Sequence, residues 1–255
     1  MVNYMEKVLI TGARSGIGYN TGIYLAKHNY DVYLAVHTNI ELNYLNKKIK
    51  TLKYKIKCLK IDITNEDDIK KIRDLDIDIL INNASVGIGG SLIDINLELV
   101  RKSYETNILG TLKLSQVFLG DLFYRKKCGK IIFISSLAGI LPISYIGTYA
   151  LTKSSINMMA KILKKEIKQL GMNIKIKLIE PGIYNTGFND YMLDYIKDKN
   201  IANNKKKLFK LFGSDNLNSI SKTIYKATSS LNNKLIYRTS IFDSIIIKLY
   251  NLFFS

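Results

Sequence analysis

Short apolar runs alternate with longer stretches of helical periodicity along the chain. Lys7–Thr11 reads as a buried strand, and a helix follows the intervening turn to about His28. Further strands are predicted at Val32–Val36, near 56–61, and at Ile77–Ile81, Lys130–Ile134, Asn173–Ile179 and Leu235–Arg238. Helices fit near 40–50, at Asn65–Arg73 with Thr64 placed to cap it, and at about 97–106 and 108–124. A longer one carries Ala150, Ile156, Met159, Ala160, Leu163 and Ile167 at helical spacing and stops at Gly171. Strands alternating with helices imply parallel pairing through right-handed crossovers. The expected fold is therefore α/β, one Rossmann-like doubly wound sheet with helices on both faces, forming a single domain over residues 1–255.

Such sheets bind ligands at the carboxyl ends of their strands. The conspicuous residues fall there: Gly12–Gly18 after the first strand, then Asp62, Asn83, Ser136 and Pro181-Gly182. In Thr11-Gly12-Ala13-Arg14-Ser15-Gly16-Ile17-Gly18 the glycines allow a sharp turn and a close approach of backbone to a pyrophosphate at a helix N-terminus. The spacing is G-x-x-x-G-x-G, and glycine-rich turns after strands are common.

Tyr-x-x-x-Lys occurs three times, at Tyr44/Lys48, Tyr149/Lys153 and Tyr195/Lys199. Only the middle copy has a serine thirteen residues upstream, Ser136, at the end of a strand-like run. Residues four apart on a helix are stacked neighbours, so the Lys153 ammonium sits one turn from the Tyr149 ring. A free phenol titrates near pH ~10, and a neighbouring cation favours the phenolate by roughly 1–3 units. That would let Tyr149 exchange a proton with an alcohol or carbonyl oxygen held by Ser136. A core tyrosine beside a solvated lysine is the plain alternative.

An acidic residue after the second strand, Ala35-Val36-His37-Thr38, would hold both adenosine ribose hydroxyls and repel a 2′-phosphate. Val36 offers no such repulsion, and His37 and Arg14 are cationic partners for that phosphate, which favours NADP(H) over NAD(H). His37 is equally readable as a solvent-exposed strand end. Asn107, between two helical runs, either breaks the helix and exposes a carbonyl beside Lys153 or simply caps it.

The net charge of +17 could advertise nucleic acid or anionic membrane, but the lysines are spread through the chain with frequent Ile, Asn and Tyr. That bias resembles codon composition more than a binding stripe, so no specific nucleic acid partner is expected. Two cysteines, Cys58 and Cys128, are too few for a disulfide framework and suit a reducing cytoplasm. The N-terminus does not read as a signal peptide, and no metal site is expected. The apolar C-terminal segment within 240–255 reads as a helix, too short and too interrupted by Asp243 and Lys248 to span a bilayer.

Taken in order, the glycine segment, Asp62, Asn82-Asn83-Ala84, Asn107, Ser136, Tyr149/Lys153 and Pro181-Gly182-x-x-x-Thr186 resemble the classical short-chain dehydrogenase/reductase family over about residues 5–186. The resemblance implies a tetrad of Asn107, Ser136, Tyr149 and Lys153. In it Tyr149 is general acid/base, Ser136 orients the substrate oxygen, Lys153 grips the nicotinamide ribose and Asn107 holds a relay water. It also implies cofactor contacts from Gly12, Arg14, Ser15, Gly16, Ile17, Gly18 and His37. Asp62 and Ile63 would flank the adenine, Asn83 and Ala84 the adenosine side, and Pro181, Gly182, Ile183 and Thr186 the nicotinamide. The implied activity interconverts a carbonyl and a secondary alcohol by hydride transfer. Ser85 replaces the glycine usual after Asn-Asn-Ala, and the tail runs past the last strand, which bears on whether a homo-oligomer is a dimer or a tetramer.

Residues 187–216 should form a lid over the substrate. Phe188, Tyr191, Met192, Tyr195 and the run Lys205–Phe212 suggest a lipophilic substrate. The simpler reading of that run is a packed helix with solvated lysines; docking on an anionic membrane surface is the alternative. A non-catalytic dinucleotide sensor on the same fold is the competing function, disfavoured by the intact Ser136/Tyr149/Lys153 set.

Overall fold

Val8 and Ile10 join one hydrophobic core and Leu9, between them, joins another; all three are fully buried. Successive side chains of a strand face opposite sides, so a run that is apolar throughout is a strand covered on both faces. The computed structural model describes residues 4–240, 243–245, 247 and 250. Its strands are β1 (Lys7–Ile10), β2 (Asp31–Val36), β3 (Ile56–Lys60), β4 (Ile79–Asn82), β5 (Gly129–Ile134), β6 (Ile174–Glu180) and β7 (Ile236–Arg238). They form one seven-stranded sheet in the order β3-β2-β1-β4-β5-β6-β7, and every pairing is parallel.

The helices are α1 (Gly16–Lys27), α2 (Asn39–Ile49), α3 (Glu66–Lys70), α4 (Leu97–Tyr104), α5 (Thr111–Tyr124), α6 (Gly147–Gln169), α7 (Phe188–Leu193), α8 (Lys199–Phe212) and α9 (Leu217–Ser229). Leu25 of α1, Leu45 of α2 and Ile220 and Ile224 of α9 cover one face of the sheet. Phe118 and Leu122 of α5 and Ile156 and Ala160 of α6 cover the other. The doubly wound sheet expected from the alternation of elements is the one observed. Strand order reverses between β1 and β4, so their carboxyl ends diverge into a crevice.

Local details differ from the sequence reading. Thr64 does not cap α3: its hydroxyl and N–H both donate to Asp62 Oδ1, at 2.7 and 2.9 Å. This turn delays the helix by one residue, and Asn65 becomes the cap, its Oδ1 accepting from the Asp68 N–H at 3.0 Å. The segments read as two helices near residue 107 are one rod, joined by a π-helical turn at Glu105–Gly110.

The segment 187–216, read as a lid, is only partly a packed helix. Ile201, Ala202 and Phe209 of α8 turn inward to a small core shared with α7, whereas Leu208, Leu211 and Phe212 are 50%, 74% and 71% exposed beside Lys207 and Lys210. The C-terminal helix read within 240–255 lies largely outside the described residues. Its described part is helical at Asp243–Ile245, Ile247 and Tyr250, and a Cβ added at Gly182 would lie 3.2 Å from Asp243 Oδ1.

Candidate active site

Gly12 adopts φ +63° as the chain leaves β1, a left-handed conformation that L side chains rarely take. A Cβ there would meet Ala84 Cα at 2.6 Å, so the turn lies directly on the backbone that leaves β4. Thr11 Oγ1 accepts from the N–H groups of Asn83 and Ala84 at 3.1 and 3.0 Å. Asn83 Nδ2 donates back to the Thr11 and Gly12 carbonyls at 2.8 and 3.0 Å. These bonds join the two strand ends on either side of the crevice. Beyond the turn, α1 starts with Ser15 in extended conformation, no side chain bonded to its first N–H groups and no acidic residue in its first turn. Its N-terminus therefore presents free donors and the positive end of the helix dipole to the crevice.

The opposite wall comes from β5 and α6. Ser136 ends the extended run after β5 and caps the short turn Leu137–Gly139, its Oγ accepting from the Ala138 N–H at 3.1 Å. This leaves the hydroxyl hydrogen free to donate. The turn packs against α6 at Gly139, where a Cβ would lie 2.8 Å from the carbonyl carbon of Lys153. Ser135 Oγ donates to the Lys153 carbonyl at 3.2 Å, and Ser154 Oγ donates to the Gly139 carbonyl at 2.6 Å. The turn and the helix thus hold Ser136 opposite Tyr149.

Lys153 is buried, 4% exposed, and its Nζ donates to the Ile134 carbonyl at 2.9 Å while lying 5.4 Å from the Tyr149 ring centroid. Burial holds its pKa down at about 8. Tyr149 is half-buried, and desolvation pushes its phenol up to about 12, with the Ser136 hydroxyl pulling the other way. The expected approach of the phenol to neutrality is therefore not what the protein alone produces. Desolvation of the phenolate outweighs the opposing hydrogen bond from Ser136. At neutral pH Tyr149 carries its proton, the form needed to donate to a carbonyl oxygen.

Asn107 neither caps a helix nor faces the cleft. It is 2% exposed in the π-helical turn; its Oδ1 accepts from the Val86 N–H at 2.8 Å, and its Nδ2 donates to the Val86 carbonyl and Thr152 Oγ1, both at 3.0 Å. The side chain clamps the loop after β4 to α6, one residue from Lys153.

The cleft has a volume of about 600 Å³. Of the residues singled out in the sequence, Gly12, Arg14, Ser15, Gly16, Ile17, Gly18, Asn83, Ser136, Tyr149, Lys153, Pro181, Gly182, Ile183 and Thr186 line it. His37, Asp62, Ile63, Ala84 and Asn107 stand behind or beside these walls. His37 is largely exposed and pairs with Asp62 Oδ2 at 3.3 Å, and Ile63 is buried in the core.

Glu41 lines the cleft and was not legible as a site residue. Thr38-x-x-Glu41 is a capping box that starts α2, and the same carboxylate lies 3.4 Å from Arg14 Nε. The capping spacing is visible in the sequence; the meeting with Arg14 is not. The cleft has an apolar end lined by Ile143 and Ile146 before α6 and by Phe188, Met192 and Phe209, and the Phe188 ring lies 5.6 Å from that of Tyr149. Among the described residues there is no group of side chains suited to hold a metal ion and no helix long and apolar enough to cross a membrane.

The family profile of short chain dehydrogenases matches residues 6–195. The chain is 33% identical over 189 residues to a 3-ketodihydrosphingosine reductase of Bacteroides thetaiotaomicron, covering 72% of this chain and 65% of that protein. It is 30% identical over 251 residues to an NADP-dependent 3-hydroxy acid dehydrogenase of Schizosaccharomyces pombe, covering 94% and 93% of the two chains. A short-chain dehydrogenase/reductase of Burkholderia phymatum, solved in complex with NAD, superposes with a TM-score of 0.86 at 18% identity, covering 97% of this chain and 93% of the other. The fold, the strand-end cleft and these likenesses agree: the chain belongs to the short-chain dehydrogenase/reductase family of NAD(P)-dependent oxidoreductases.

Proposed function

We propose that this protein uses NADP(H) in preference to NAD(H) to interconvert a lipophilic ketone and its secondary alcohol. The observation that carries this reading is the convergence of Ser136, Tyr149 and Lys153 on one wall of a cleft whose other end is the open N-terminus of α1. The glycine turn and that N-terminus fit a pyrophosphate, with Lys153 and the Pro181–Thr186 loop fitting the nicotinamide end. The nicotinamide, when bound, supplies the hydride chemistry.

In this reading Tyr149 gives its phenolic proton to the carbonyl oxygen in reduction and recovers it in oxidation. Ser136 donates a hydrogen bond to the same oxygen, and Lys153 holds the ribose and favours the phenolate once the proton has left. Asn107 contributes through its backbone in the π-helical turn, because its side chain is fully engaged elsewhere. The 2′-phosphate would be met by Arg14 and His37. Both are more than half exposed, and their pairs with Glu41 and Asp62 are exposed pairs worth about 0–1 kcal/mol, weaker than charge-assisted bonds to a phosphate. The apolar end supports a lipophilic substrate.

A homodimer through α6 is part of the same proposal. Leu109, Leu151, Met158 and Ile162 are each 45–55% exposed, and the last three share one face of α6. Light scattering on the purified protein tests it. The thiols Cys58 and Cys128 are unpaired, which supports a reducing cytoplasm.

The deciding measurement is thermal shift with NADPH and with NADH, on wild type and His37→Ala, followed by NADPH oxidation with a panel of ketones. Larger stabilisation by NADPH, reduced in the variant, supports the reading. A preference for NADH overturns the cofactor assignment, and binding without turnover of any ketone would favour the dinucleotide sensor.

A further inference from the structure

One side of α8 faces the cleft, and another carries apolar side chains open to solvent. Phe209 lines the cleft, and Ala202, two turns earlier on the same side, is buried. Leu208, Leu211 and Phe212 stand at i, i+3 and i+4 and form one exposed stripe on the outer side. By helical position Lys207 and Lys210 border this stripe on one flank and Lys205 on the other. Lys205 Nζ sits over the Tyr145 ring, 5.6 Å from the centroid.

The chain carries 38 lysines and arginines against 21 aspartates and glutamates. The balance of α8 is different: it holds Lys199, Lys205, Lys206, Lys207 and Lys210 and no carboxylate. Asp198, just before it, is committed to the cap, its Oδ1 accepting from the Asn200 and Ile201 N–H groups at 2.8 and 3.1 Å. Among the described residues only Lys206 of these lysines has an ion pair, with Asp194 at 2.5 Å. The outer side therefore combines an uncovered apolar stripe with cations that lack counter-charges.

An occupant of that side must offer apolar matter to the stripe and anions to its flanks. A second copy docked across a twofold axis would set lysine against lysine, with no carboxylate of α8 to receive them. An anionic bilayer supplies both requirements. Acyl chains take up Leu208, Leu211 and Phe212, and the long lysine stems carry their ammonium groups to the headgroup phosphates.

We infer that the outer side of α8 is a docking surface for an anionic phospholipid membrane, which places the apolar end of the cleft beside lipid. The helix lies in the plane of the interface and does not cross it. This inference stands apart from the carbonyl/alcohol reading; together with that reading it gives a lipophilic ketone a route from bilayer to cleft.

Flotation with vesicles tests it on the full chain, without cofactor or substrate. One set is phosphatidylcholine alone, the other an equal mixture with phosphatidylglycerol. Wild type should bind the mixed vesicles at least about tenfold more tightly. Raising salt from about 0.1 to about 1 M, which shortens the screening length from about 10 to about 3 Å, should weaken that binding. Leu211→Ser with Phe212→Ser should cost at least about tenfold in affinity. Lys207→Gln with Lys210→Gln should cost roughly thirtyfold, at about fivefold per lysine. Lys165→Gln with Lys168→Gln removes the same charge from exposed positions of α6 and should bind like wild type. All these positions are exposed, and wild-type melting temperatures verify that each variant folds. Equal losses from the two lysine pairs would reduce the effect to net charge and overturn the docking surface. So would equal binding to both vesicle types, no binding by wild type, or unchanged binding after loss of Leu211 and Phe212. Self-association without vesicle binding, lost in the Leu211/Phe212 variant, would assign the stripe to a second copy instead. The assay turns over no ketone, so its failure leaves the oxidoreductase reading standing, and absent ketone turnover leaves the docking result standing.

Discussion

The Lys153 ammonium donates to the Ile134 carbonyl at 2.9 Å and lies 5.4 Å from the centroid of the Tyr149 ring. Both side chains sit on the first two turns of α6, but only the end of β5 fixes the lysine. Its depressed pKa makes a prediction about stability. From its ordinary 10.5 the ammonium is held near 8 in the folded protein. Below pH 8 the fold bears the full cost of a buried cation. Between about 8 and 10.5 the unfolded chain keeps a proton that the folded chain has lost, so stability rises with pH through that window. The difference corresponds to about 3 kcal/mol. Lys153→Met lacks this dependence, so its melting temperature relative to wild type should be most favourable at pH 7 and fall toward pH 10. Parallel melting curves at both pH values would contradict the burial argument.

Tyr149→Phe should reduce ketone turnover by roughly 10²–10⁴-fold while leaving the cofactor-induced thermal shift intact, because only the proton donor is removed. The phenol is held near 12, so its own titration should not limit reduction below pH 10. A falling limb near pH 8 would instead report Lys153. Initial rates across pH 6–10, with thermal shifts as control, check both statements.

Glu41 tempers the cations that would greet a 2′-phosphate. Glu41→Gln can preserve the capping geometry of α2 while removing the charge beside Arg14. The ratio of NADPH to NADH affinity should rise about tenfold, and Arg14→Ala should lower it by a similar factor. Calorimetric titration of both nucleotides measures the ratio; no change in either variant would remove Arg14 and Glu41 from cofactor choice.

Asn107→Ala should unfold the protein more easily, by about 1–3 kcal/mol in urea, because the half-buried Val86 N–H and carbonyl lose their partners. Asn107→Asp should be no better: a carboxylate can accept from Val86 but cannot donate to its carbonyl or to Thr152 Oγ1. Near-wild-type stability of both variants would contradict the clamp.

The framework was legible because its signals are local. The apolar run Val32–Val36 of β2, the glycine turn after β1 and the serine thirteen residues before Tyr149 each depend on chain spacing alone. The position of the cleft followed from the rule that parallel sheets open at their carboxyl ends. Boundaries were less legible: the Asp62 turn captured Thr64, and a π-helical turn joined two helices that read as separate.

What spacing could not disclose are encounters between residues distant in the chain. Glu41 meets Arg14 only because β2 lies beside β1, and Lys205 meets Tyr145 only because α8 folds over the loop before α6. The state of Tyr149 belongs to the same class. By sequence the cation one turn away lowers the phenol's pKa; in the folded protein desolvation governs and keeps it protonated. Periodicity and turn chemistry are properties of neighbouring residues, so the chain by itself determined the sheet, the cleft and the Ser136–Tyr149–Lys153 set. Dielectric environment and counter-charge arise from packing, so only the tertiary structure decided the protonation of Tyr149 and the company of Arg14.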